Sequence, residues 1–166
     1  WYTFNDEGAN SSTVNMILDH NTTAGVASWD ESKTQITTDT KDWNSSLNAR
    51  LITANEVAKI TGNTNFDASK IGQKWFYFDS NDQTRTATTQ GASKYSWLYD
   101  YTYKCTSYGC NIADSSNYGY WTSCVYADNS SKAWRVNWDG NLIYISVGNT
   151  GDGIRPVVTI SKNIIS

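Results

Sequence analysis

The chain has 166 residues, a length suited to one domain, with 39% hydrophobic residues, only 17% charged residues and a formal charge of −3. It contains no run of Lys or Arg that could form the basic stripe needed to displace counterions from nucleic acid. It also has no apolar stretch as long as a transmembrane helix. Polarity comes mainly from Ser, Thr and Asn, a surface of hydroxyls and amides that suits strands and loops and is common outside the cell. The eight Trp and eleven Tyr are enough to build a core and also to offer flat binding surface. The chain begins at Trp1, without Met or a signal-like segment, as expected of a processed piece whose export signal or N-terminal membrane anchor has been removed.

Trp1 to Phe4 and Val14 to Leu18 read as strands between polar turns. A short helix is expected near Asp39 to Leu47, where Trp43 and Leu47 stand one turn apart. The clearest helix start is Thr53-Ala-Asn-Glu56. The Thr hydroxyl can accept from the Glu56 amide while the Glu56 carboxylate reaches back to the Thr53 amide. That helix should run to Thr61, with Val57 and Ile60 on one face and Gly62 as its stop. Asn63 to Lys74 reads as loop, Trp75 to Phe78 as a compact apolar strand, and Asp79 to Ser93 as a polar excursion. Tyr95 to Tyr103 holds five aromatics in which Tyr99, Tyr101 and Tyr103 alternate with polar residues, either an aromatic platform or one packed strand face.

Cys105 and Cys110 flank a four-residue turn containing Gly109. A disulfide between them would add about 2 kcal/mol by constraining the unfolded chain and would imply an oxidising compartment. The alternative is a metal or redox pair, although metal sites usually add a second such pair or more His than the single one present. Cys124 is then left over, either as a small buried residue or as an exposed thiol able to link chains.

Tyr120 to Ser123 reads as a strand, followed by a hairpin turning at Asp139-Gly140, a favoured two-residue turn. With Trp138 opposite Asn141, Val136 would face Ile143 and Trp134 would face Ile145 on an apolar side. Arg135 would then face Tyr144, and Asn137 would face Leu142, on the other side. The last strand alternates from Ile154 to Ile160, with Pro156 marking an edge or an irregularity. Aromatics run from Trp1 to Tyr144 with no internal repeat and no linker, which predicts one domain over residues 1–166.

Two of these segments resemble a known superfamily. Arg50-Leu-Ile-Thr-Ala-Asn-Glu56 resembles the Arg-Leu-Pro-Thr-x-x-Glu helix start of formylglycine-generating-enzyme-like domains, and Gly153-Ile-Arg155 resembles their Gly-Phe-Arg strand. The run from Arg50 to Ile160 is similar to surface domains of Gram-positive gut bacteria, some of which follow a pilin-type or other anchoring N-terminus. The resemblance implies a C-type-lectin-like α+β fold: a small twisted antiparallel sheet, one or two helices and long loops. Formylglycine-generating enzymes hold copper through two cysteines at the spacing of Cys105 and Cys110. Here, however, the pair precedes the Tyr120 strand rather than lying near the final Gly-Ile-Arg, so no catalytic role is expected.

The candidate ligand-binding set is Tyr126, Asp128, Asn129, Arg135, Asn137 and Tyr144. This set assumes that Trp121, Ser123 and Val125 face inward while Thr122, Cys124 and Tyr126 face outward. Asp139, Asn141, Asn149 and Asp152 are calcium candidates because they gather oxygen ligands, although Asp and Asn also serve as plain turn residues. His20 follows Asp19, and a continuing strand would point the two apart, leaving His20 a scaffold role. Arg155 is expected to hold neighbouring loops.

The function expected from these readings is non-catalytic recognition of a glycan or host protein at a bacterial surface or pilus, with calcium as the possible cofactor. The alternatives are a self-assembling structural subunit linked through Cys124 and, further off, a copper oxidase.

Overall fold

The computed structural model describes residues 1–4, 11–23, 28–79, 94–99 and 119–165, which form a small α+β fold. In chain order the elements are β1 (Tyr2–Phe4), β2 (Thr13–Ile17), α1 (Trp29–Asp39), α2 (Ala54–Ile60), β3 (Phe76–Tyr77), β4 (Gly119–Val125), β5 (Lys132–Val136), β6 (Asn141–Ser146), β7 (Asp152–Gly153), β8 (Val157–Ser161) and α3 (Lys162–Ile165). Single 3-10 turns occupy Ser45–Leu47 and Ser96–Leu98. Strands β1, β2 and β8 form one antiparallel sheet, and the second sheet runs β3-β6-β5-β4-β7. Within the second sheet only the β4–β7 pair is parallel. Cys105, Cys110, Tyr101, Tyr103 and the polar excursion from residue 80 lie outside the described residues.

The five-stranded sheet is covered on both faces. On one side Tyr120, Trp134, Val136 and Leu142 pack with Ile52, Phe66, Leu98 and the α2 residues Val57 and Ala58. On the other side Trp121, Ala133 and Ile154 pack with Leu51 and with Ile36 of α1. Trp121 and Trp134 are each fully buried. Removing a Trp side chain from water is worth about 4–6 kcal/mol at the usual area coefficient, as an upper bound.

The hairpin forms at the expected place but one residue out of the expected register. Trp134 pairs with Tyr144, Arg135 with Ile143 and Val136 with Leu142. The turn is longer by one residue: Asn137 N donates to Asn141 O at 2.9 Å and Gly140 N donates to Asn137 O at 3.2 Å. Trp138, Asp139 and Gly140 therefore form a three-residue loop, with Gly140 at φ +87° where only glycine is unstrained. A one-residue shift exchanges faces, so Tyr144 lies beside Trp134 while Arg135 lies opposite, next to Trp121.

The facing expected for β4 is also overturned. Tyr120 pairs with Val136 and Trp121 with Arg135, but the next pair is Val125 with Ala133. This irregularity interrupts the β4–β5 ladder between Trp121 and Val125. Ser123 N donates instead to Ile52 O at 2.9 Å, and Thr122 Oγ1 donates to Trp134 O at 2.8 Å. Thr122 is thus fully buried, whereas Ser123 and Val125 are exposed. Cys124 and Tyr126 return to the side of Trp134.

The Thr53 helix is present as expected, with Thr53 as N-cap and both capping-box bonds formed. Glu56 also accepts two hydrogen bonds from the Arg50 guanidinium, at 2.9 and 2.7 Å, so the Arg-Leu-Ile-Thr segment is fastened to its own helix. The helix expected near Asp39 to Leu47 is displaced. Asp39 ends α1 rather than starting a helix, and only the 3-10 turn remains around Ser45. Helix α1 begins at a second capping box: Ser28 Oγ accepts from Glu31 N while Glu31 Oε2 accepts from Ser28 N. Its apolar stripe is too thin to read from periodicity, since Ser32 and Ile36 are its buried residues. Trp29 holds it to the sheet, with Nε1 donating to Thr122 O at 2.9 Å.

Arg155 acts as scaffold. It is fully buried, and its Nε, Nη1 and Nη2 donate to the carbonyl oxygens of Leu18, Leu98 and Trp97 at 2.6, 2.7 and 2.8 Å. One side chain thereby fixes the residue after β2 and the Ser96 turn to the segment leading into β8. Gly153, two residues earlier, admits no side chain. A Cβ there would sit 2.3 Å from Thr23 O and 2.5 Å from Asn21 Nδ2.

Candidate functional site

Strand β2 stops at Ile17, and the chain bends through Leu18 to His20 before Thr23 bridges Ile154. The bend brings two neighbouring side chains together that a continuing strand would hold apart. Asp19 Oδ1 lies 2.6 Å from His20 Nδ1, which corrects the expected divergence of these residues. Partial burial of Asp19 opposes its ionisation, but the bond to His20 and the nearby positive charge outweigh it and hold the carboxyl below its ordinary range.

The same bend presents Thr22 and Thr23 to the last residue of α1. Asp39 Oδ2 accepts from Thr22 Oγ1 at 2.7 Å and from Thr23 Oγ1 at 2.6 Å. Asp39 Oδ1 accepts from Gln35 Nε2, one turn earlier, at 2.8 Å. Three donors on one carboxylate lock its position. Past α1 the chain turns at Thr40, whose carbonyl accepts from Trp43 N at 3.0 Å, and Asn44 caps the following 3-10 turn. Trp43 is half-buried and meets the ring of Trp1 edge to face at 5.3 Å.

These elements enclose an open cleft of about 530 Å³, lined among others by His20, Thr22, Gln35, Asp39, Lys41 and Trp43. Its volume lies within the usual range for small-molecule pockets, and its walls combine an aromatic ring with fixed hydrogen-bonding groups. Gln35 donates one amide proton to Asp39, which leaves its carbonyl oxygen and second amide proton able to meet a ligand.

The sequence-derived set is divided between the two faces of the sheet. Tyr126 and Tyr144 come together as a stacked pair, with centroids 3.9 Å apart and planes at 15°, and both abut Trp134. The bond to Tyr144, with burial and Asp128 adding to it, raises the Tyr126 phenol to about 12. Asp128 Oδ1 accepts from Gly72 N at 2.7 Å and Oδ2 from Tyr126 Oη at 3.1 Å, so it ties two loops together. Asn129 Oδ1 closes a turn on Ser131 N and Oγ at 3.0 and 2.6 Å. Arg135 lies on the opposite face, 3.1 Å from the fully buried Asp152, and Asn137 begins the three-residue turn.

The four calcium candidates differ in how far their oxygens are already engaged. Asp152 gives both oxygens to Arg135, whose positive charge competes with a cation there. Asn149 Oδ1 accepts from Gly151 N at 2.5 Å. Asp139 and Asn141 keep buried Oδ1 atoms without hydrogen-bond partners, two oxygens where calcium takes six to eight. Burial raises the carboxyls of Asp139 and Asp152, against the opposing pull of Arg135. Among the described residues no group of three or more His, Cys, Asp or Glu could hold a metal ion.

Gln35, Asp39 and Trp43 were missed by the sequence reading. Ser28-Trp-Asp-Glu31 carried a usable signal: a helix started there places Gln35 and Asp39 on one face at i, i+4. Nothing local announced that Thr22 and Thr23 would reach them. No curated protein and no solved structure matches the chain. A family model described as a domain of unknown function, DUF6273, matches residues 17–162, from the end of β2 to the start of α3, and the chain belongs to that family.

Proposed function

We propose that this domain is a non-catalytic recognition module of a bacterial surface or pilus protein and that its ligand is a glycan held in the Trp43 cleft. The carrying observation is the cleft itself: about 530 Å³ of open volume bordered by an aromatic ring, a locked carboxylate and an amide with unused hydrogen-bonding capacity. A sugar offers an apolar ring face and a rim of hydroxyls, which such walls complement. The engagement of Asp39 by three donors suits a fixed acceptor better than a mobile proton carrier. An extracellular setting agrees with the hydroxyl- and amide-rich composition. The C-type-lectin-like reading of the fold draws support from two small sheets, helices laid on them and long connections. Assembly through Cys124 has less support, because that thiol is half-buried and its Sγ accepts from Ala54 N at 3.4 Å.

The test is a glycan and host-glycoprotein array probed with the purified domain in calcium and in chelator. A sugar signal unaffected by chelator, lost in Trp43→Ala and in Gln35→Ala but retained in Asp128→Ala, is the expected result. A signal on deglycosylated host protein, or a blank array, would overturn the glycan reading.

A further inference from the structure

Trp43 has open volume on two sides. Besides the cleft toward His20 and Asp39, a second hollow of about 300 Å³ lies along the 3-10 turn, lined by Thr37, Asn44, Leu47 and Asn48. Lys41 and Trp43 line both hollows, so they form a shared wall rather than the back of either one. The second hollow is at the lower end of the range for ligand pockets, and both hollows are open to solvent. The polar groups differ between the two. Two acidic residues, Asp39 and Asp42, line the first hollow, whereas Thr, Ser and Asn residues with Leu47 line the second. Lys41 offsets one of the two carboxylates, so the path keeps about one negative charge, which disfavours an anionic ligand and is too small to select a strongly cationic one.

We infer that the two hollows are consecutive subsites for one uncharged oligosaccharide, which crosses Trp43 and places sugar units on both sides of it. This rests on the glycan reading above and adds the size and charge of the ligand. Linked units that occupy both hollows bind as one molecule, so the second contact adds affinity without a second loss of translational freedom. A single sugar would fill one side only. The indole of Trp43, steadied by Trp1, supplies the apolar surface over which the chain of rings passes.

Calorimetric titration with matched pairs tests this: glucose against cellotetraose, N-acetylglucosamine against chitotetraose, and mannose against mannotetraose. At least one tetrasaccharide is expected to bind tenfold or more tightly than its monosaccharide. Ser45→Trp, an exposed position lining only the second hollow, should bring that tetrasaccharide down to monosaccharide affinity while the monosaccharide is unchanged. Gln35→Ala, in the first hollow, should weaken both. Equal affinity for the two members of every pair that binds overturns the two-subsite path and leaves glycan recognition standing, as does a Ser45→Trp variant that keeps full tetrasaccharide affinity. Binding of a sulfated or uronic tetrasaccharide in preference to every neutral one overturns the uncharged-ligand inference. No binding by any of the six sugars, together with a blank array, removes the recognition reading and this inference with it.

Discussion

The β4–β5 loop end of the large sheet and the Trp43 cleft contain nearly the same side-chain chemistry, aromatics with a carboxylate and an amide. At the sheet end those groups satisfy one another. Tyr126 stacks on Tyr144, Asp128 bonds Gly72 and Tyr126, and Asn129 closes its own turn. In the cleft, the hydrogen bonds of Asp39 fix the wall, while Trp43, Lys41 and Gln35 border open volume. A mixture of aromatic and polar residues therefore does not identify a site. What separates the two regions is unused hydrogen-bonding capacity next to space.

Trp134 is fully buried and meets Phe66, Tyr126 and Tyr144 edge to face, so its loss should have the largest effect at the sheet end. Trp134→Ala should lose about 3–5 kcal/mol in denaturant unfolding. A loss below about 1 kcal/mol would mean that the sheet end is not the packed unit described here. Trp43→Ala should show the opposite profile, with glycan affinity down at least tenfold and stability changed by about 1 kcal/mol or less, since the ring is half-exposed. Equal losses of stability in both variants would erase the distinction between the two regions.

Ser28→Ala removes the cap of α1 and should destabilise by about 1 kcal/mol in thermal or chemical unfolding. Because α1 carries Gln35 and Asp39, a modest fall in ligand affinity should accompany it, whereas Thr53→Ala in α2 should lower stability alone. Asp128→Ala should weaken the tie between its two loops, about 1 kcal/mol or less for an exposed group, with no change in binding.

The smallest expected effect is on pH dependence. The Asp19 carboxyl is depressed in the folded state, so its contribution is present above the ordinary value of 3.8 and is lost as pH falls through the lowered one. Asp19→Asn should therefore flatten the acid limb of a stability-against-pH curve below about pH 4 and leave the neutral region unchanged. An unchanged acid limb would mean that the Asp19–His20 bond does not stabilise the fold.

The α+β class was legible in the sequence, as were the Thr53–Glu56 helix start, the position of the hairpin and the scaffold role of Arg155. Each depends on contacts between near neighbours or on a single residue of unusual character. The hairpin register was not legible. Asp139-Gly140 suits a two-residue turn, yet the loop takes in Trp138 as well and places Gly140 at positive φ as the third residue. That one residue moved Tyr144 to the side of Trp134 and Arg135 to the side of Trp121, dividing the expected binding face. The irregularity in β4 was equally hidden, because it depends on Ile52 accepting from Ser123 and on Thr122 replacing a ladder bond to Trp134.

Local sequence sets where α1 and α2 begin, since each capping box acts over three residues through bonds the local chain can make alone. The tertiary structure decided which face each strand residue occupies and where open volume remains. Those outcomes depend on partners far along the chain: Thr22 and Thr23 meeting Asp39 at the end of α1, and Arg155 drawing Leu18, Trp97 and Leu98 to the segment before β8. A cleft is the space such long-range contacts leave unfilled, and no local pattern of residues encodes it.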